Sequence, residues 1–463
     1  MSEPTVAPAA GIRFDADAEV LIVGGGAAGM VAALAATAAG AEPVVAERDA
    51  VPRGSTALSA GLVPAAGTRW QRAAGIADDP ERFAADIRRK AKREADEAVL
   101  AAATRGIAPT LEWLADAHGL AFSVVTDFLY PGHAAHRMHG LASRSGAELI
   151  DRLRVAVERA GVAVLTGAVA RTLFVDGDGA VRGVGVVRPD GSEERIGCRA
   201  LVLACNGYGG NRELVRRHIP ELAEAVWFGH DGNRGEAVLW GGALGAELRH
   251  LSGHQGHGSV AHPHGILVTW AVMVQGGVQV NALGERFSDE SEGYSEQAAR
   301  VLAQPGGVAW DVFDERIAGI ARQFEDFRAA EAAGAVLRAA SVAALAEVMK
   351  VPAATLAAAL AERGAPDRFG RDWTGVAPLA SPYCAVRVTG ALFHTQGGLA
   401  IRADARVKRA AGGVFPNLFA AGGAAAGLSG SRAAGYLSGN GLLTAVALGA
   451  IAGREAARLS RAR

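Results

Sequence analysis

Three glycines and one acid carry the clearest chemistry in this chain. Residues 20–29 read Val-Leu-Ile-Val-Gly-Gly-Gly-Ala-Ala-Gly, an apolar run that ends in Gly24, Gly26 and Gly29. A helix of small residues follows from Met30 to about Ala39, and a second apolar run, Pro43 to Ala46, closes on Glu47. Gly24 permits a tight turn, Gly26 lets backbone approach a pyrophosphate, and Gly29 lets helix and strand pack closely. The helix N-terminus then faces the phosphates. Glu47 stands about 20 residues beyond the glycines, the spacing of an acid that binds ribose hydroxyls. Strand, turn, helix, strand and acid together predict a dinucleotide site.

The histidines offer a second chemistry. Eight of twelve fall in two clusters, His133, His136 and His139, and His250, His254, His257, His262 and His264. No HExxH or cysteine partner accompanies them and Pro263 interrupts the second cluster, so a metal is not expected. The histidines are expected to line a substrate channel instead.

The elements that position these groups are legible in outline. A loop of small residues, Arg53-Gly-Ser-Thr-Ala-Leu-Ser-Ala-Gly61, suits close contact with a flat cofactor through Ser55, Thr56 and Gly61. Pro80 to Ala115 has helical periodicity with dense charge. Ser145 and Glu148 form a capping-box pattern ahead of an amphipathic helix. Val162 to Val175 and Val181 to Arg188 read as strands, with a hairpin turn at Asp190-Gly191. Ala200 to Ala204 reads as a buried strand that runs into Cys205-Asn-Gly-Tyr-Gly-Gly-Asn211, a second glycine turn able to face a cofactor. From about 250 to 385 the character changes to charged helices and an alanine-rich helical stretch, Phe324 to Arg363, and this region reads as an inserted domain. Strands and glycine turns then return, and a last helix is expected over Gly441 to Leu459.

Composition sets bounds. At 463 residues, 50% hydrophobic and 21% charged, the chain is long enough for two domains and typical of a folded enzyme. A net charge of −1 gives no electrostatic footprint for nucleic acid. Three cysteines without CxxC spacing argue against a disulfide framework. Residues 1–17 lack a signal-peptide pattern, and no apolar run reaches spanning length, so the expectation is a cytoplasmic protein without a membrane span.

Taken in order, these motifs resemble the flavoproteins of the fumarate reductase/succinate dehydrogenase superfamily, which includes tricarballylate dehydrogenase and 3-ketosteroid dehydrogenases. The resemblance runs from Val20 to about Arg458. Its pieces are the Gly24–Gly29 fingerprint with Glu47, Leu203 to Asn211, Gly284-Glu-Arg-Phe287, Phe313-Asp-Glu-Arg316, His394-Thr-Gln-Gly-Gly398 and Leu418-Phe-Ala-Ala-Gly422. It implies an α/β, Rossmann-like FAD-binding domain over 1–250 and 386–463, with an α+β capping domain inserted at 251–385. It implies FAD held by Gly24, Gly26, Ala28, Gly29, Glu47 and Arg48. Ser55, Thr56, Gly61, Ala170, Asn206 and Gly207 are expected to join them, with Gly422, Gly439, Asn440 and Leu442. Residues 48–70 contain no histidine for the covalent attachment seen in some relatives, so non-covalent FAD is expected.

The resemblance also assigns the reaction. Hydride moves between flavin N5 and a carbon–carbon bond next to a carboxylate or ketone. Arg316 matches the proton-donating cap arginine and Arg286 reads as structural. Glu290 stands where a proton relay to Arg316 begins, but Ser291-Glu-Gly-Tyr294 lacks the arginine that continues it in fumarate reductases, so the relay is expected to be altered or absent. His394 matches the histidine that binds the substrate carboxylate or carbonyl, and His257 a second substrate histidine. In dicarboxylate-specific relatives an arginine precedes Leu-Gly-Gly-Asn and clamps a carboxylate. Here Gly435-Tyr-Leu-Ser-Gly-Asn440 puts Tyr436 in its place, and a phenol has no bidentate fork. Tyr436 can donate one hydrogen bond to a ketone, as a tyrosine does in ketosteroid dehydrogenases, and Arg432 is the candidate substitute for the clamp. For desaturation Tyr294 and Tyr130 are candidate bases. Without a CxxCH haem motif, a separate electron donor or acceptor is expected. Two alternatives stand beside this reading: a ketosteroid-dehydrogenase-like desaturase, and a non-catalytic flavin-binding protein, the latter suggested by Gly423 where an acid is often found.

Overall fold

In the parallel core of the fold, Val20, Leu21 and Ile22 are fully buried because both faces of their strand are covered, and such strands read as continuous apolar runs rather than alternating ones. The computed structural model describes residues 3–127 and 129–462. They form two compact units. The first takes in the chain up to Leu214, then Gly229–His254, and resumes at His394; the second comprises Val215–Phe228 and Gln255–Phe393.

Among the described residues the first unit holds a nine-stranded mixed sheet. The strand Ala16–Val23 pairs in parallel with Pro43–Ala46 on one side and Glu193–Leu203 on the other. Register decides the site. Val23 lies opposite Ala46 and Leu203, and Leu203 opposite Ala420. The Gly24 turn, Glu47, Ala204 and Ala421 therefore leave the sheet at one edge, the carboxyl ends of parallel strands where ligands of α/β sheets bind. The expected hairpin forms between Val181–Val187 and Glu193–Leu203, and its second strand is longer than the sequence suggested.

Two helices seal this edge from one side. The fingerprint helix Ala27–Ala38 packs on the C-terminal helix Asn440–Arg461. A Cβ on Gly449 would come within 2.6 Å of the Ala28 carbonyl oxygen, and one on Gly453 within 2.1 Å of that of Ala32. The two backbones touch because side chains are absent.

The second unit is built on a seven-stranded sheet. Its long strand Tyr383–Thr395 pairs antiparallel with Val308–Asp314 and Val336–Ala339. The same strand pairs in parallel with Val226–Trp227, which is why Val215–Phe228 joins this unit and the expected single insertion at 251–385 becomes two excursions. The expected helical stretch Phe324 to Arg363 is also interrupted. Val336–Ala339 is a strand between the helices Glu325–Ala332 and Val342–Met349, because pairing with the sheet overrides local alanine propensity. Ser145 caps the helix Gly146–Arg159 through the Glu148 amide, but the Glu148 carboxylate turns to Ser143 rather than closing a capping box.

The Gly453 contact is testable by thermal denaturation. Gly453→Val is expected to cost on the order of 1–3 kcal/mol by overpacking and lower the melting temperature by several degrees. Gly242→Ala, where a Cβ meets nothing within 4 Å, should leave it unchanged or slightly raised. Equal melting temperatures for the two variants would show that the helices can part freely.

Candidate active site

The glycine turn is shaped by close approach. Gly24 has φ +108°, and a Cβ there would stand 2.5 Å from the Ala204 carbonyl oxygen; a Cβ on Gly29 would stand 1.8 Å from that of Gly24. Gly26 is the N-cap of the fingerprint helix, with no side-chain cap of its own. The Ala27 amide instead donates to Thr56 Oγ1 at 3.0 Å. Glu47 is buried, and its carboxylate accepts from the amides of Gly25 at 2.5 Å and Asp49 at 2.9 Å. That ties the acid to the turn and still leaves lone pairs for ribose hydroxyls.

The second turn locks onto the same edge. Asn206, with φ +65°, donates to Ser55 Oγ at 3.1 Å and accepts from the Gly207 amide at 2.9 Å. A Cβ on Gly423 would fall 2.1 Å from Asn206 Oδ1, so a side chain there would displace the Asn206 amide from its bonds. Gly422, at φ +60°, passes Ala28, and Gly439, at φ +85°, passes Pro64. Gly61 has a packing reason, since a Cβ would strike the Ser145 carbonyl at 2.3 Å. Ala170 is buried within the strand Val169–Val175 and Leu442 stands in the first turn of the C-terminal helix. Arg48 turns its guanidinium to Glu236 at 2.6 Å, a partner the sequence did not suggest.

This edge fits FAD. Two buried acceptors, Asn440 Oδ1 and Glu236 Oε2, have no hydrogen-bond partner within the protein. Such atoms are rare and call for a bound donor. The Gly24–Gly29 turn and Glu47 would hold the pyrophosphate and ribose.

At the same unit's His394 a compact polar group forms. The His394 and Tyr436 rings meet edge to face with centroids 5.4 Å apart. His394 Nδ1 lies 2.9 Å from Gln396 Nε2 and 3.3 Å from the Thr395 carbonyl. Burial holds its imidazole down at about 4, with His254 adding to the effect. Burial also pushes the Tyr436 hydroxyl up, opposed by the backbone amides of Gly439 and Gly441 that face it. Both groups are therefore neutral at physiological pH. Gln396 bonds to His394, and Ser429 and Asn440 continue the line behind it; sequence reasoning missed the first two. A signal existed for Gln396 only in its nearness in sequence: it lies two residues beyond His394, just past the end of the strand Tyr383–Thr395.

Several expected residues lie elsewhere. Arg432 has a 68% exposed side chain and pairs with Glu94 at 3.4 Å, because the Glu94 carboxylate is fixed at the surface by Ser431. It does not replace the missing clamp. Burial pushes the Tyr130 hydroxyl up to about 12, so it keeps its proton and little phenolate is present to act as a base. His133 and His139 line no channel: they are buried, bonded to the Ser438 carbonyl at 3.0 Å and Thr68 Oγ1 at 2.8 Å. Between them Arg137 is clamped by Asp78 and Asp86. Among the described residues no group of His, Cys, Asp and Glu is arranged to hold a metal ion, and no helix is long and apolar enough to cross a membrane.

In the second unit, His257 is 5% exposed and stacks on Tyr294 at 5.0 Å and Phe393 at 5.3 Å. Its Nδ1 accepts from the Ser259 amide, and burial holds the ring down at about 3. Its faces serve this aromatic packing, as does the ring of Tyr294. Glu290 does not relay to Arg316. Its carboxylate is occupied by a bidentate contact with Arg286, by Arg371 at 2.9 Å and by the Gln279 amide. Arg286 also binds Asp367 at 2.7 Å, which completes a buried structural network. Arg316 itself has a 45% exposed side chain, donates to the Gln275 carbonyl at 3.2 Å and lies 3.8 Å from Asp314. A guanidinium acts as an acid only where it is held dry against a strongly basic carbon. Arg316 is hydrated in this structure, which does not favour it as the proton donor.

A parallel-sheet edge with a glycine fingerprint and a buried acid at its second strand is the arrangement of a dinucleotide-binding protein. The sequence model of the FAD binding domain family matches residues 19–442, and the chain belongs to that family. It is 30% identical to a probable fumarate reductase of Shewanella frigidimarina over 95% of this chain and 75% of that protein. It is 25% identical to a urocanate reductase of Eggerthella lenta over 96% of this chain and 75% of that one. Among solved structures it is similar to the open conformation of a flavocytochrome c3 fumarate reductase, with a TM-score of 0.82, 29% identity and coverage of 96% and 79%. The fold is also that of a 3-ketosteroid-delta4-(5alpha)-dehydrogenase from Rhodococcus jostii, with a TM-score of 0.77, 24% identity and coverage of 98% and 100%. The chain is an FAD-dependent oxidoreductase acting on carbon–carbon bonds.

Two outcomes follow from this geometry. Arg316→Gln is expected to keep steady-state turnover within about twofold, since a surface contact contributes little; a loss of a hundredfold would restore it as the acid. His394 is a base whose value in the folded state, about 4, lies below the ordinary 6.5. The unfolded chain therefore binds its proton first, and the stability gained by a neutral ring is full above pH 6.5 and lost as pH falls towards 4. In the pH dependence of kcat/KM no limb near 6.5 should appear that His394→Asn removes; such a limb would mean that the ring titrates normally.

Proposed function

We propose that the chain forms or reduces a carbon–carbon double bond conjugated to a neutral carbonyl, that of a ketone, ester or amide, held by Tyr436 and His394. The observation that carries this reading is the pair of neutral donors at the place where an arginine clamp would serve a carboxylate. When bound, non-covalently on this reading, FAD supplies the hydride acceptor or donor.

The Tyr436 hydroxyl and the His394 imidazole each offer one N–H or O–H to the substrate oxygen. As the bond conjugated to the carbonyl reacts, negative charge grows on that oxygen. The two hydrogen bonds strengthen with it, so they favour the transition state over the bound substrate. The same polarisation makes the α-proton acidic in desaturation and the β-carbon electrophilic in reduction, so the pair serves either direction. A carboxylate is served poorly. Its full charge would enter a dry site with neutral partners, and an unpaired buried charge is costly. The fumarate and urocanate reductases among the relatives support the type of bond attacked, while the tyrosine supports the change of substrate class. Electrons pass to or from a separate carrier, quinone or oxygen.

An anaerobic screen tests this. Unsaturated ketones, esters and amides should reoxidise the reduced flavin, or their saturated forms bleach the oxidised one, faster than fumarate or succinate do. Tyr436→Phe should lower kcat about a hundredfold, the usual loss for one such donor. Fumarate as the best substrate, or full activity in Tyr436→Phe, would overturn the proposal.

A further inference from the structure

His394 ends a line of hydrogen bonds that begins at Asn440. Asn440 Nδ2, which can only donate, lies 3.2 Å from Ser429 Oγ. Ser429 Oγ lies 2.6 Å from Gln396 Oε1, and Gln396 Nε2 lies 2.9 Å from His394 Nδ1. Asn440, Ser429 and Gln396 are all buried. From these contacts we infer that Gln396 and Ser429 are positioning residues that lock His394 in the tautomer with its proton on Nε2, making it an obligate donor to the substrate oxygen. The inference rests on the carbonyl-binding role proposed for His394.

The distances choose the direction. A 2.6 Å contact fits O–H···O, with Ser429 Oγ as the donor to Gln396 Oε1. The amide oxygen of Gln396 therefore faces Ser429, which donates to it, and the amide nitrogen faces the imidazole. With the amide turned over, Ser429 Oγ would receive two donors, from Asn440 and Gln396, and its own proton would lose the Gln396 acceptor. The Gln396 N–H then requires a lone pair on Nδ1, so the ring proton belongs on Nε2. The competing contact, from Nδ1 to the Thr395 carbonyl, is longer at 3.3 Å.

The free end of the ring is placed for use. A Cβ built on Gly441 would lie 3.0 Å from His394 Nε2, so the absence of a side chain at 441 leaves room beside the nitrogen, and Tyr436 flanks the same ring. The line also resists protonation of the imidazole. A second proton would have to go on Nδ1, opposite a donor that cannot accept it. His394 is thus built neither to take the α-proton as a base nor to give one as an imidazolium.

The test is nitrogen NMR of the FAD-loaded protein labelled with 15N-histidine, the His394 signals being assigned by their absence in His394→Asn. Wild type should show a protonated Nε2 and an unprotonated Nδ1, unchanged from pH 5 to 9. Gln396→Glu, whose carboxylate accepts, should move the proton to Nδ1, raise the histidine pKa and lower kcat on the order of tenfold or more with little change in KM. Gln396→Met or Ser429→Ala should give both tautomers in exchange. A wild-type ring protonated on Nδ1, or a Gln396→Glu ring identical to wild type, would overturn the inference. Melting temperature and flavin absorbance show whether each variant folds and loads, and the wild-type spectrum alone decides if none does. The predicted tautomer together with full turnover in His394→Ala would refute the carbonyl-binding role and leave the tautomer lock standing.

Discussion

Backbone against backbone is the contact on which this fold depends. At Gly24, Gly29, Gly449 and Gly453 a single added Cβ would fall within 2.6 Å of a carbonyl oxygen. No side-chain movement relieves such a collision, because the opposing atom is main chain. In exchange for the conformational entropy that glycine loses on folding, the strand ends and the fingerprint helix are drawn together at one edge of the sheet. Apart from Ala27, whose amide donates to Thr56 Oγ1, the first amides of that helix have no intrahelical acceptor and can serve an anion. Glu47 holds the turn from the other side through the Gly25 amide. The cofactor edge is thus shaped by where side chains are missing.

Near His394 the governing quantity is desolvation. Burial disfavours the charged form of both the imidazole and the phenol, and it acts on them in opposite senses, holding His394 down and Tyr436 up. The result is the same for each: a neutral group that keeps its proton. Elsewhere the molecule handles charge differently. Arg137 between Asp78 and Asp86, and Arg286 between Glu290 and Asp367, are buried ions given full sets of partners. Breaking such a pair leaves an uncompensated charge, so these clusters serve to hold their units in shape.

How far the sequence could be read follows from the range of each interaction. The fingerprint was legible because its constraints are local: a turn, a helix start and an acid at a set spacing. The pairing partner of Val226–Trp227 was not, since it lies on a strand more than a hundred residues away, and the strand Val336–Ala339 was hidden in alanine-rich surroundings for the same reason. Residue type misled at charged positions. Arg316 and Arg432 have the right chemistry for acid and clamp, but exposure decides whether a guanidinium is a reagent or a solvated surface group, and exposure is a tertiary property. The histidine spacing at 133–139 likewise reflects packing around Arg137. Tyr436 was legible as a substitution within a motif, whereas the line from Asn440 to His394 joins segments whose proximity only the fold supplies.

The exchange of an arginine for a tyrosine changes what the site stabilises, not merely how strongly. A guanidinium carries its charge before the substrate arrives and so attracts a substrate that is already an anion. Much of that attraction is spent on the ground state, where it does not speed the chemical step. A neutral phenol and a neutral imidazole exert little pull on a resting carbonyl. Their dipoles gain as the oxygen becomes negative, and they need not reorganise to do so. This requires that both protons point outward and stay there. For the phenol, burial outweighs the opposing effect of the Gly439 and Gly441 amides, so it keeps its proton. For the imidazole, the Gln396 donor on Nδ1 keeps the proton on Nε2. Both are then neutral groups that keep a proton, which is the condition for a pair of donors selective for charge that develops over charge that is brought.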